Sequence, residues 1–180
     1  MTSTNIVGAL ACAIAIGASA RPATALAAGI QHSVHVGTPD ACFATSNSMP
    51  GCDANYSATA VQFDDGTVTG VFTDRFLSSV YQGDGFYGTV RCLFVDGNVA
   101  VFSGTGLLTV NGVTTERSFA ARVVDNGVSA NDPPDQISYA QIRRSLDAWQ
   151  DCEFWASPDD TPDFWDTKIL DAPAGQVRVK

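Results

Sequence analysis

The chain is short of the residues from which long charged helices are built. Of its 19 acidic residues only Glu116 and Glu153 are Glu, and of its 10 basic residues only Lys168 and Lys180 are Lys. The acids are therefore nearly all Asp, whose short side chain bonds its own backbone in turns. Basic side chains are scarce altogether. A net charge of −9 leaves no cationic footprint for a phosphate backbone, which argues against nucleic acid as a partner. No Cys-x-x-Cys pair occurs, which removes the common zinc modules. No Gly-x-Ser-x-Gly elbow occurs either, and with it goes the usual signature of an α/β hydrolase.

What the chain has in quantity is Asp beside Gly, Asn or Pro, as in Asp64-Asp65-Gly66, Asp84-Gly85, Asp96-Gly97 and Asp125-Asn126-Gly127. Asp in that company is turn chemistry, because its short side chain hydrogen-bonds nearby backbone and tolerates tight geometry. Between these turns apolar and polar residues alternate, which places strands at 30–36, 58–63, 67–76, 107–110 and 114–124, with a last one at 175–179. The stretch 85–104 reads as a hairpin. A two-residue turn at Asp96-Gly97 sets Phe94 opposite Val99, Cys92 opposite Val101 and Val90 opposite Ser103, and gives the even positions of the first arm an apolar face. Asn111-Gly112 is a second hairpin turn. Turns at intervals of about ten residues are the rhythm of an all-β antiparallel barrel of about eight strands, with a two-sheet β-sandwich as the alternative. Residues 125–136 and 157–163 break the rhythm as loops. Ile137 to Tyr139 suit a strand, and Ile142, Leu146 and Trp149 recur at helical spacing, so a strand followed by a short helix is expected near the C-terminus.

Residues 6–20 are an apolar run too short for a comfortable membrane span, and they lead into Ala23-Thr24-Ala25 and Ala25-Leu26-Ala27. That is the h-region and cleavage site of a secretory signal. The expected organisation is a signal peptide over 1–27 and a single secreted, extracellular β domain over 28–180, with no membrane span in the mature chain. Cleavage removes Cys12 and leaves four of the five cysteines, which in an exported chain read as two disulfides with three possible connectivities. A Cys42–Cys52 bridge would pin a loop rich in Ser, Asn, Pro and Gly. Cys92 would then join Cys152, and loop-closure entropy makes a bridge across roughly 60 residues worth on the order of 4 kcal/mol.

The order Val90-x-Cys92-Leu93-x-Val95-x-Gly97-Asn98-x-Ala100, then Phe119-x-x-x-Val123-Val124-Asp125-Asn126-Gly127, then Pro134-Asp135-Gln136-Ile137-Ser138 resembles a group of uncharacterised bacterial secreted β-domain proteins. These share a V-C-L-x-V-x-G-N hairpin, a V-x-D-N-G element and a final glycine-led strand, here residues 175–179. The resemblance departs at Arg143-Arg144 and in the Cys42–Cys52 loop. It implies an exported β domain and carries over no catalytic residue.

Candidate chemistry is sparse. Gly83-Asp84-Gly85-Phe86-Tyr87-Gly88 fits G-x-G-x-x-G, but a dinucleotide site needs a helix N-terminus after it, where here a strand follows and Asp84 would repel phosphate. His32 and His35 stand at i and i+3 of a strand, on opposite faces. Either could serve a triad with Ser103 or Ser138, although both serines are adequately explained as strand residues. Asp125, Asp132 and Asp135 supply the hard oxygens that Ca²⁺ prefers, which makes Ca²⁺ the one cofactor the residues suggest, and the same residues are equally turn formers. Asn55-Tyr56-Ser57 is a glycosylation sequon.

For ligand binding the candidates are Arg91, Arg122, Tyr87, Trp149 and Trp155. Trp149 and Trp155 belong to an aromatic C-terminal end that either lines a carbohydrate or apolar-ligand site or plugs the barrel. Arg91, Arg122 and Tyr87 decide between two functions. Converging in a polar pocket inside the barrel, they would serve a small secreted hydrolase or lyase. An interior filled by Val, Phe and Leu leaves the leading reading, a non-enzymatic binding or structural module that meets a small ligand or an extracellular partner.

Overall fold

The computed structural model describes residues 28–39, 54–76, 83–129, 131–138, 140–146, 152–156, 169–172 and 175–180. The expected signal segment, Cys42, Cys52, Trp149 and the 157–163 loop lie outside the described residues.

The described residues form ten strands: β1 (Ile30–Pro39), β2 (Ala54–Phe63), β3 (Val68–Phe76), β4 (Gly85–Asp96), β5 (Val99–Val110), β6 (Val113–Val124), β7 (Gln136–Ser138), β8 (Gln141–Arg143), β9 (Ile169–Asp171) and β10 (Gln176–Val179). All belong to one antiparallel sheet in the order β10-β1-β2-β3-β4-β5-β6-β7-β9, with β8 also paired to β6. The molecule is all-β, a strongly curled antiparallel half-barrel. One sheet, rather than the two of a sandwich, carries every described strand.

Alternation builds the inside. Val34 and Val36 of β1, Ala58 and Ala60 of β2, Phe72 of β3, Phe86 and Val90 of β4, Phe102 of β5, and Phe119, Ala121 and Val123 of β6 form one buried cluster. Phe72 sits at its centre. Its ring centroid lies 5.0 Å from Tyr56, 5.9 Å from Phe86, 5.9 Å from Phe102 and 5.0 Å from Phe119. The space for these rings comes from glycine: Gly88 on β4 pairs with Gly106 on β5. A Cβ on Gly88 would stand 2.6 Å from the Phe86 ring and 2.7 Å from that of Phe119.

The central hairpin differs from the sequence expectation in register. Asp96 pairs with Val99, so Gly97-Asn98 is the turn and Phe94 faces Val101 rather than Val99. Of the two turn residues only Gly97 has positive φ, 57°, the type II′ pattern with Gly first. Asn111 and Gly112 both have positive φ, 52° and 73°, as a type I′ turn requires. The register then slips between Val90 and Cys92. This β-bulge inserts Arg91 and reverses the inward set of side chains. Before it Phe86, Gly88 and Val90 point in; after it Leu93 is buried in the main cluster, and Cys92 and Phe94 face a second one.

That second cluster lies on the outer face and comprises Val101, Ala120 and Cys152, with Cys92, Phe94, Trp155 and Ala156 packed against it. Cys92 and Cys152 are disulfide-bonded across a separation of 60 residues, Cα–Cα 5.8 Å. The bond fixes the single helical turn Cys152–Ala156 to the outside of β4 and β5. The short helix expected from Ile142, Leu146 and Trp149 does not form over the described part of that segment, residues 140–146. Gln141–Arg143 is a strand along β6, pairing Ile142 with Phe119, because an open sheet edge takes up the segment's backbone groups where an isolated helix turn would leave them unpaired.

One end of the strand path, β10, meets the β6–β7 connection through side chains. The N–H groups of Val177 and Val179 on the free edge of β10 donate to Asp135 Oδ2 at 2.7 Å and Asp125 Oδ2 at 2.9 Å. The other oxygens of these carboxylates accept from Asn126 N–H at 2.9 Å and Gly127 N–H at 3.1 Å. The β6–β7 connection is thereby stitched to the last strand.

Candidate functional site

Among the described residues aromatic rings and aliphatic side chains fill most of the interior, with Asp74 and Thr38 as buried polar side chains. The concave features lie outside. One groove of about 490 Å³ crosses the outer face at the β3–β4–β5 end, lined by Thr73, Arg75, Tyr87, Leu107, Thr109 and Thr114 together with the connection Gly83-Asp84-Gly85. Tyr87 and Leu107 are register partners, 58% and 51% exposed, and Val71 is a third exposed apolar side chain of the same face. The strands place them here by simple alternation. Phe72 and Phe86 take the inward positions, so Val71, Thr73 and Tyr87 must point out.

The groove's rim is polar and ordered. Asp84 accepts from Asn111 N–H at 2.6 Å and Gly112 N–H at 3.4 Å, which ties its carboxylate to the β5–β6 turn, and Arg75 adds a guanidinium that has no ion-pair partner among the described residues. Thr109 and Thr114 share a hydroxyl hydrogen bond of 2.9 Å, and Thr73 shares one of 2.5 Å with Ser57. A flat apolar ring beside oriented hydroxyls and a guanidinium suits a ligand with an apolar face and polar edges.

A second groove, of about 530 Å³, lies on the same outer face across β10, β1 and β2. It is lined by Ser33, His35, Gly37, Thr59, Gln176, Arg178 and Lys180, with Val36 and Ala58 at its floor. The two grooves are joined by one row of register partners, Gln176–Gly37–Ser57–Thr73–Tyr87–Leu107. The adjacent row runs Arg178–His35–Thr59–Val71–Thr89.

No family model, no curated protein and no solved structure matches the chain.

Of the residues singled out for ligand binding, Tyr87 alone lines a groove. Arg91 is exposed at the bulge. Arg122 pairs with Val101 on the outer face, where Trp155 packs against the disulfide cluster. Trp149 lies outside the described residues. Arg91, Arg122 and Tyr87 therefore do not converge inside the sheet. Asp125 and Asp135 hold the seam to β10, and Asp132 accepts from Ser129 N–H at 2.7 Å. Among the described residues no group of three or more His, Cys, Asp or Glu side chains is gathered as a metal site would need. His32 and His35 lie on β1, separated by β2, β3 and β4 from Ser103 on β5. Ser138 Oγ accepts from Arg122 N–H at 2.8 Å. The G-x-G-x-x-G stretch is the entry into β4. Among the described residues no helix is long and apolar enough to cross a membrane.

Sequence reasoning missed Arg75, Leu107, the groove position of His35, Arg178 and Lys180. The outward alternation of β3 carried a signal for Arg75. Nothing local could place the last strand beside the first.

Proposed function

We propose that this chain is an exported, disulfide-tied binding domain whose binding surface is the outer groove around Tyr87. The observation that carries the reading is that the interior is packed with aromatic rings while Tyr87 stands more than half exposed in a groove edged by hydroxyls and Arg75. Apolar surface displayed in a concavity with a few convergent polar groups is the ordinary build of a ligand site. The alanine-rich leader and the disulfide support export, since disulfides persist in oxidising compartments. The resemblance to secreted bacterial β-domain proteins points the same way. Architecturally, the half-barrel is read as a barrel of about eight strands whose last seam is made by Asp125 and Asp135 in place of a backbone ladder.

A sugar ring fits the groove, because its C–H face stacks on a tyrosine and its hydroxyls pair with threonine and arginine. The test is affinity electrophoresis of the purified protein in gels containing soluble polysaccharides, run beside Tyr87→Ala. Loss of the stacking ring should weaken retardation about tenfold without changing the melting temperature. Undiminished retardation of the variant would sink the assignment of the groove.

A further inference from the structure

Charge on this molecule is segregated in a way its net value hides. Although the chain carries 19 acidic residues, the outward positions of β10, β1, β2, β3 and β4 as far as Thr89 include neither Asp nor Glu. They do include Arg178 on β10, His35 on β1 and Arg75 on β3, and Lys180 follows directly on β10. None of these four has an ion-pair partner among the described residues. Among the described residues Asp64, Asp65, Asp96, Asp125, Asp132 and Asp135 sit in the turns and at the seam, and Asp74 is buried inside. Asp84 and Glu116 border only the Tyr87 end of the face, Asp84 bonded to the β5–β6 turn and Glu116 beside Leu107. An anionic chain approaching the protein is thus repelled at the ends of the strands and attracted to one face.

We propose that this face binds an acidic polysaccharide, which it holds as an extended chain across both grooves. The proposal rests on the Tyr87 reading and names the class of ligand. One sugar ring stacks on Tyr87 with a carboxylate toward Arg75. About 19 Å away, four inter-strand spacings along the connecting row, other carboxylates meet Arg178, Lys180 and His35. Between them the surface is Ser57, Thr59 and Thr73, hydroxyls that suit a hydroxyl-rich polymer.

An acidic peptide is the less suitable occupant. Peptides add to sheets at a free edge, and on β10 the outward N–H groups of Val177 and Val179 are already bonded to Asp135 and Asp125.

The experiment compares three probes by titration of the purified protein: polygalacturonate, the same polymer with its carboxylates methyl-esterified, and poly-glutamate. Polygalacturonate should bind more tightly than its ester, and its advantage should fade as salt is raised. The double variant Arg178→Gln/Lys180→Gln should lower affinity for polygalacturonate about tenfold and leave the ester unchanged, while Tyr87→Ala lowers both. All three side chains are exposed, and circular dichroism confirms that the variants fold. Equal affinity for acid and ester, or a double variant that binds as before, overturns the anionic face and leaves the Tyr87 groove standing. A loss caused by the double variant and not by Tyr87→Ala supports the anionic face and overturns the groove. Poly-glutamate bound as tightly as polygalacturonate overturns the choice of a polysaccharide, and so does binding to none of the three.

Discussion

Ser103 is fully buried, yet its Oγ has no hydrogen-bond partner among the described residues. It lies on the outer side of β5, between Cys92 on one neighbour and Ala120 on the other, beneath the layer that the disulfide holds in place. A hydroxyl hidden without a partner costs about 1–3 kcal/mol of desolvation, so Ser103→Ala should leave stability unchanged or raise it by roughly 1 kcal/mol. Urea denaturation measures this, and a clear loss would show that the hydroxyl has a bonded role. Asp65 is the opposite case. In the β2–β3 turn its carboxylate accepts from both the hydroxyl and the N–H of Thr67, and these bonds, the hydroxyl's first, hold its pKa below the ordinary carboxylate value. A lowered folded pKa contributes stability above the ordinary value that is lost as pH falls through the folded one. The group is at the surface, so the effect on folding is small and the useful readout is the titration itself. In Thr67→Ala an NMR titration should find the Asp65 carboxyl moved up toward its ordinary value.

At the scale of the element, glycine and aspartate do the shaping. Gly88→Ala would push a methyl into the Phe86 and Phe119 rings at 2.6 and 2.7 Å, and overpacking of this kind costs about 1–3 kcal/mol. Guanidinium denaturation should show the loss, and the far-UV spectrum should stay that of a β protein. Asp135→Asn leaves one carbonyl oxygen and one amide where two backbone N–H groups, of Asn126 and Val177, now donate to a carboxylate. One donor then faces another. The expected cost is about 1.5–3 kcal/mol, with faster amide exchange at Val177. The strands themselves were legible from alternation and from Asp-Gly and Asn-Gly turns. The register of the central hairpin was not, because Asp96-Gly97-Asn98 contains two overlapping turn dipeptides, Asp-Gly and Gly-Asn, and composition cannot choose between them. Nor was the bulge at Arg91, which decides that Cys92 faces out. The acids of 125–135 announced themselves as turn formers or calcium ligands, yet the feature that uses Asp135 and Asp125 is the free edge of a strand 42 and 54 positions later. β9 was missed because three residues are too few to show a period. Of the candidate site, the sequence reading names Tyr87 as part of a polar pocket inside the barrel with Arg91 and Arg122, whereas it stands on the outer face. Its charged neighbours come from strands brought together only by the sheet order.

For the whole molecule, the curled sheet carries its own core and its own seam, and the disulfide adds an outer layer to it. Cys92 was matched with Cys152 from the cysteine pattern, and the two are bonded. Their location explains what the bond does. It holds the Cys152–Ala156 turn against Val101 and Ala120, while the Phe72 cluster lies on the other side of the sheet. Replacing both cysteines by alanine should therefore lower stability by about 4 kcal/mol, the loop-closure value for roughly 60 residues, with an unequal local effect. Amide exchange should accelerate at Cys152→Ala through Ala156 and along the covered part of β5, and hardly at all in β1 to β3 once the global loss is subtracted. Polysaccharide binding should persist, because the Tyr87 groove draws no residue from the tethered layer. Uniform acceleration across all strands would mean that the outer layer and the half-barrel form one cooperative unit. Loss of binding would place the tethered layer within the binding surface itself.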